Sequence, residues 1–402
     1  MTQLSPIETA AIETVHNQPM LPQVRSWAAI NSGTRNLAGL NSVANGLADA
    51  FAVLPGAIDL VEAAPVESIA ADGTISQLGH GRHLHLNVRP DAAVRMLLTG
   101  HMDTVYPVDH PFQTLAMRDD GTLHGPGVAD MKGGLAVMLA ALKAVEASPL
   151  APRLGYEVVI NSDEETGSFS SAALLARTAR GKVAALTYEP ALPDGTLAGA
   201  RGGTGNFSIV VHGRSAHAGR NPDDGRNAIV AAADLALRLS RARSPGLAVN
   251  PARIEGGGPN NVVPDFALLR VNFRPATQDE IVRARALIDA AIAAVAAEHE
   301  VRIALHGSFN RPPKPIDPGA ARLLDLVKAA GTDLGLTIGW RATGGVCDGN
   351  NIAACGVPVV DTMGARGGAI HSPDEFLIVD SLAERARLST LVLLRIAKGG
   401  QP

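Results

Sequence analysis

Five short polar clusters carry side chains able to do chemistry: "GHMD" (His101, Asp103), "GVADMKGG" (Asp130), "SDEETGS" (Glu164, Glu165), "TYEP" (Glu189) and "AIHSPDE" (His371). Histidine and carboxylate donors without thiolate favour zinc, with cobalt or manganese as alternatives. Singly, each cluster reads more readily as a cap or turn at the end of a strand. "SDEETG" alone suits a helix N-terminus, where acidic residues favour the dipole. Together, two histidines and several carboxylates at the strand ends of one sheet predict a two-metal site. The only cysteines, Cys347 and Cys355, lack CxxC spacing, so a thiolate zinc site is not expected. Cys347 has no adjacent histidine and reads as a small buried or loop residue.

The elements that must position these clusters follow from the hydrophobic pattern. "AAVRMLLTG" and "RLGYEVVINSDEE" are continuous apolar runs ending in polar residues, which suits strands buried on both faces of a helix-covered sheet. "KGGLAVMLAALKAVEA" and "SFSSAALLARTARG" predict helices, the second stopping at Gly181. "VAALTYEP" predicts a further strand, and short strands alternate with turns from about Ile58 to Val88. The first residues predict helix, break, helix, with "AINSGTRN" as the break. Polar clusters at the carboxyl ends of strands are where open α/β sheets place their sites. Near Ala200 the pattern changes: "GNFSIVVHG", "GRNAIVAAADLALRLSRAR", "LAVNPARIEGG", "DFALLRVNFRP", "TQDEIVRARALIDAAIAAVAAEH" and "VRIALHGS" give the order βαββαβ, a ferredoxin-like pattern. The expected division is residues 1–199 and 312–402 for a mostly parallel α/β domain, with an inserted domain at 200–311. "NRPPKPIDP" marks the return crossing.

These clusters, in this order, resemble the dizinc exopeptidase and amidohydrolase family that includes glutamate carboxypeptidase, acetylornithine deacetylase, succinyl-diaminopimelate desuccinylase and aminoacylase. The resemblance covers nearly the whole chain. It implies a catalytic domain with an inserted dimerisation or lid domain, and two zinc ions per chain. His101 and Glu189 would hold one ion, Glu165 and His371 the other, and Asp130 would bridge them, because co-catalytic metals lie about 3.5–4 Å apart. Residues two apart in a strand point to one side, so Asp103 would hold the His101 ring through its other nitrogen. The resemblance also implies a cis peptide after Asp130. Glu164 would be the general base toward a metal-bridging water, passing its proton to the leaving nitrogen.

In the inserted domain, "GRSAHAG" places His217 where the family has a histidine that reaches across a homodimer to the tetrahedral oxyanion. "GPNNVVP" places Asn261 where the family has a substrate-contacting asparagine, and "VNFRP" places Arg274 where glutamate carboxypeptidase has an arginine for the substrate carboxylate. Arg311 in "FNRPPKP" is a second candidate for that anion. "TGGVCDGNN", with Gly344 and Gly345, resembles the glycine-rich loop that lets substrate approach the metals, although "GGVCD" departs from the expected third glycine or hydroxyl residue.

The bulk composition agrees with such an enzyme. The 402 residues are 46% apolar and 18% charged, a soluble globular balance, with only 3% aromatic residues, so Ala, Val, Leu and Ile must fill the core. A net charge of −4 argues against a nucleic-acid or anionic-membrane partner. No apolar run approaches the roughly 18 residues of a membrane span, and the first twenty residues do not read as a secretory signal. Together with the two cysteines, this predicts a cytoplasmic protein. The expected activity is amide hydrolysis of an N-acyl or N-peptidyl amino acid, closest to glutamate carboxypeptidase. An N-acyl amino-acid deacylase is the near alternative, and a non-catalytic metal-binding or sensor protein the alternative of another class. A dizinc phosphoesterase fits poorly with the inserted domain and "DEETGS".

Overall fold

The computed structural model describes residues 4–399; residues 1–3 and 400–402, the outer ends of the first and third expected segments, lie outside them. A six-stranded sheet runs in the order Ala57–Val61, His83–Val88, Leu154–Asn161, Val94–His101, Ala184–Thr187, Val359–Val360. Its first two pairings are antiparallel and its last three parallel. The alternation of strand side chains explains the unbroken apolar runs. Leu98, Val158, Ile160 and Leu186 pack into a large core with the helices Gly134–Glu146 and Ser381–Gly399. Leu97, Val159 and Ala185 face the opposite way, onto the helices Ala172–Ala179 and Asp348–Ala353.

A second sheet follows the order Leu247–Gly256, Phe266–Pro275, Thr204–His212, Arg302–Arg311, with every pairing antiparallel. The helices Ala228–Arg241 and Gln278–Glu298 cover one face and share a separate core with it. Both helices start on side-chain caps, Asn227 accepting from Val230 N–H and Thr277 from Glu280 N–H. The other face is polar and lines clefts against the first sheet's loops through Asn206, Asn272 and Ser308.

The N-terminal helical region is divided once more than the sequence predicts: Pro6–Val15 and Met20–Ala28 precede the break, and Leu37–Phe51 follows it. Pro19, at the N-cap of the second helix, cannot continue the first. The break at residues 29–36 cradles the end of the strand Val94–His101. Ser32 Oγ donates to Met102 O (2.7 Å), and Thr34 Oγ1 donates to an Asp103 carboxylate oxygen (2.7 Å).

Two close approaches fix the strand that leads to Glu189. A Cβ on Gly134 would sit 1.9 Å from Tyr188 O, and one on Gly364 would sit 2.3 Å from the same oxygen. Neither site admits a side chain without moving backbone. Gly134→Ala is therefore expected to destabilise the protein by about 1–3 kcal/mol, the usual cost of overpacking, and to lower activity through the displaced Glu189. Thermal unfolding with a parallel activity assay checks this, and an unchanged Tm would contradict it.

Candidate active site

The strand Val94–His101 delivers His101 at its last position, and its ladder continues one step further, Met102 N–H donating to Asn161 O (2.7 Å). Asp103 thus lies in the turn beyond the strand, not within it. Its carboxylate is fully buried. Oδ1 accepts from Glu164 N–H (3.1 Å) and lies 3.4 Å from His101 Nδ1; Oδ2 accepts from Glu165 N–H (3.2 Å) and Thr34 Oγ1. The same imidazole nitrogen is 3.1 Å from the Asp103 main-chain oxygen. One carboxylate therefore ties together a histidine ring and the main chain of both adjacent glutamates.

Asp130 sits in the irregular turn Val128–Gly133 ahead of the helix Gly134–Glu146, and the Asp130–Met131 peptide bond is cis, as the resemblance implies. Its two oxygens face different histidines: Oδ1 is 3.1 Å from His101 Nε2, and Oδ2 is 3.3 Å from His371 Nε2. Glu189 Oε2 lies 3.8 Å from His101 Nε2, and Glu165 Oε2 lies 3.2 Å from His371 Nε2. Donor atoms of His101, Asp130 and Glu165, and of His101, Glu164 and Glu189, lie within 4.8 Å of one another. His101 is buried; His371 is exposed at the cleft.

The electrostatics call for positive charge at this cluster. Burial opposes a charged His101, yet hydrogen bonds with Asp103, Asp130 and Glu189 raise its pKa well above the ordinary value. Hydrogen bonds with Asp130 and Glu165 lift His371 to about 11. Burial opposes the charge on Asp130, but the two histidines outweigh it and hold its pKa low. Burial, with Asp130 nearby, pushes Glu165 up to about 7. Burial drives Glu164 well above the usual carboxylate range; Arg311 pulls it down and Glu189 pushes it further up. Two imidazoles with the carboxylates of Asp130, Glu165 and Glu189, Asp130 turning one oxygen toward each histidine, fit divalent cations.

Two cavities open on either side of this cluster. One, of about 490 Å³, extends past Glu189 to Leu192, Leu197 and Ala198. The other, of about 840 Å³, runs along the polar face of the second sheet and includes Arg274, Asn272 and Arg311. Glu164, Glu165, Gly344, Gly345 and His371 line both. The glycine loop is held from below, where Arg201 donates to Gly345 O (3.0 Å) and pairs with buried Asp361. Cys347 is buried, caps the helix Asp348–Ala353, and has its thiol pKa raised mainly by burial.

The structure does not bring every sequence candidate to the cluster. His217 and Asn261 are exposed in neighbouring loops of the second sheet, joined by Ala218 N–H to Asn261 O (2.9 Å), and line neither cavity. Arg274 is exposed in the larger cavity, its Nε donating to Asn272 Oδ1. Arg311 is buried, with its Nη2 against Glu164.

Several residues escaped the sequence reading. Glu375 is buried beneath the site and accepts from the main-chain N–H groups of Gly127, Ala129 and Asp130, each at 3.0 Å, fixing the Asp130 turn. Tyr106 donates to Glu375 and to Ser372 O, joining the first motif to the last. Lys132, also buried, donates to Ser32 Oγ and Met102 O; burial lowers its pKa to about 8 despite the surrounding carboxylates. Glu375 and Lys132 do stand inside quoted motifs, which was the one signal available.

A family model for peptidase family M20/M25/M40 matches residues 97–395. The chain belongs to this family. It is 29% identical to carboxypeptidase G2 of Pseudomonas sp. over 314 residues, 76% of this chain and 74% of that one. It is 30% identical to a succinyl-diaminopimelate desuccinylase of Pseudoalteromonas translucida over 309 residues, 70% of this chain and 78% of that one. The fold matches that of an M20 family metallo-carboxypeptidase of Sulfolobus solfataricus, with a TM-score of 0.70 at 15% identity, covering 95% and 100% of the two chains. The chain is accordingly a hydrolytic enzyme of a metallopeptidase and amidohydrolase family. Among the described residues, no helix is long and apolar enough to cross a membrane.

The geometry predicts about two divalent ions per chain, since Asp130 turns one oxygen toward each of the two histidines. Elemental analysis of protein purified without chelator should find them. Asp130→Ala should lose nearly all metal and His371→Ala about half. Full metal content in Asp130→Ala would contradict the shared-carboxylate arrangement.

Proposed function

We propose that this enzyme cleaves the amide bond of an N-acyl or N-peptidyl amino acid, in the manner of a glutamate carboxypeptidase, with Glu164 as general base. The observation that carries the reading is the Glu164 carboxyl, placed between two cavities and beside a cluster whose central carboxylate faces both histidines. An N-acyl amino-acid deacylase is the second reading, favoured by the similarity to a desuccinylase. Both share the chemistry described here and differ in what the cavities accept.

Two zinc ions, or cobalt or manganese in their place, would be held by His101, Asp130 and Glu189 on one side and by Asp130, Glu165 and His371 on the other. Bound there, they would polarise the amide carbonyl and acidify the attacking water. Glu164 Oε1 is engaged by Arg311, which leaves Oε2 to take the water's proton and return it to the leaving nitrogen. Asp103 fixes the His101 ring and the Glu164 main chain, so the base and the ligand keep their separation. Gly344 and Gly345 line both cavities with no side chain, leaving room for a substrate to cross. Arg274, exposed in the larger cavity, suits a substrate carboxylate through its terminal nitrogens.

Residues 200–311 form the dimerisation and lid unit in this reading, between catalytic segments 1–199 and 312–402. His217 and Asn261 stand exposed outside their own chain's cavities, which supports their serving a partner's site in a homodimer. His217 would donate to the oxyanion there.

A release assay over matched N-acyl and N-peptidyl amino acids, with zinc supplied, tests the activity. Turnover should require a free α-carboxylate on the leaving side, and cleavage indifferent to that group would argue against the reading. Glu164→Gln should lower kcat by at least about 10²-fold, the scale of general-base catalysis, while metal content is retained. Mixing inactive His217→Ala chains with inactive Glu164→Ala chains tests the dimer. Activity should partly return, because a mixed dimer pairs one intact metal cluster with a partner's intact histidine. A mixture that stays inactive after confirmed subunit exchange would remove His217 from the partner's site.

A further inference from the structure

We propose that Arg311 is a positioning residue for the Glu164 carboxylate, and that through it the second sheet holds the proton-transferring group in place. The inference rests on the reading of Glu164 as general base. It replaces the expectation that Arg311 holds a substrate anion.

Arg311 is the last residue of the edge strand Arg302–Arg311. Its side chain leaves the second sheet and enters the loop that carries Glu164. Nη2 lies 2.7 Å from Glu164 Oε1 and donates to the Glu164 main-chain oxygen and to Ser168 Oγ, each at 2.8 Å. One nitrogen thus grips both ends of the same glutamate, its carboxylate and its peptide carbonyl, and so constrains the torsions between them. Behind the guanidinium, Asp348 Oδ1 lies 3.7 Å from Nη2, and Asp348 accepts from Asn161 Nδ2 (2.7 Å) and from Ser168 Oγ. Charges alternate along Glu164, Arg311 and Asp348, which are 7%, 5% and 1% exposed.

All of these Arg311 contacts use Nη2, the nitrogen turned toward the Glu164 loop. The charge-assisted hydrogen bond to Glu164 is the strongest of them. Arg274 lines the same cavity, is exposed, and spends only Nε on a neutral partner, Asn272. Arg274 is thus exposed to the cavity, while Arg311 turns Nη2 onto the base. A proton acceptor works only within hydrogen-bond reach of the water, and misplacement by about 1 Å costs on the order of 10²-fold in rate.

The test compares Arg311→Met, Arg311→Lys and Glu164→Gln with the wild type on one cleaved N-acyl amino acid, each with zinc content and Tm measured. Arg311→Met is expected to lower kcat by about ten- to a hundred-fold with KM within about two-fold. Arg311→Lys should recover part of the loss, since an ammonium keeps the charge but not the fork. Zinc content should match the wild type, and a crystal structure of Arg311→Met should show the Glu164 carboxyl rotated away. A raised KM with unchanged kcat would return Arg311 to substrate binding and overturn the proposal. Wild-type kcat in the Arg311 variants, with Glu164→Gln inactive, would overturn it while leaving the general base intact. Full activity in Glu164→Gln would overturn both. Should Arg311→Met fail to fold, the kcat and KM of Arg311→Lys decide by the same criteria.

Discussion

The site depends on one buried carboxylate. Asp103 has no exposure to solvent, and its oxygens meet the His101 ring, the Thr34 hydroxyl, and the main-chain N–H groups of Glu164 and Glu165. A buried charge persists only when its lone pairs are satisfied, and these partners come from three separate parts of the chain. The turn after the strand Val94–His101, the break in the N-terminal helices and the loop after the strand Leu154–Asn161 are thereby held at one point. Removing Asp103 would leave two buried N–H groups and a hydroxyl unpartnered and release the histidine ring together with the glutamate loop.

Around that anchor the chain balances negative charge with further tethers. Glu375 fixes the Asp130 turn through three main-chain N–H groups, and Lys132 enters from below to hold Ser32 and the Met102 carbonyl. The second sheet contributes Arg311 from its edge strand. Glu164 and Glu165 are pushed upward mainly by burial, Asp130 is held low by the two histidines, and both histidines are drawn toward their protonated forms. That imbalance is the physical reason the donor set suits divalent cations, and it follows from how tightly the tethers pack the carboxylates together.

Much of the candidate donor cluster was legible in the sequence because His101, Glu164, Glu165 and Glu189 follow strongly apolar strands, and the βαββαβ order was legible because each element has a clear period. The continuous runs at 94–101 and 154–161 form neighbouring parallel strands, and their alternate residues face two different helical layers. What the sequence hid were contacts between distant segments. Nothing in "AINSGTRN" announces that Thr34 will meet Asp103, and nothing in "NRPPKP" announces that Arg311 will turn toward Glu164. An arginine near a cleft reads as an anion binder; its burial and its pairing with Glu164 are visible only in three dimensions. Asp348, Asp361 and Glu375 were overlooked for the same reason, since a lone carboxylate in a loop ordinarily reads as solvated.

The central claim is that Asp130 is shared by two cations while Glu164 stays free to carry a proton. Anomalous scattering from crystals of the zinc-loaded protein tests it most directly. The account predicts two peaks flanking Asp130, one bonded to His101 and Glu189 and the other to Glu165 and His371, with Glu164 bonded to neither. A single peak, or a peak ligated by Glu164, would contradict it.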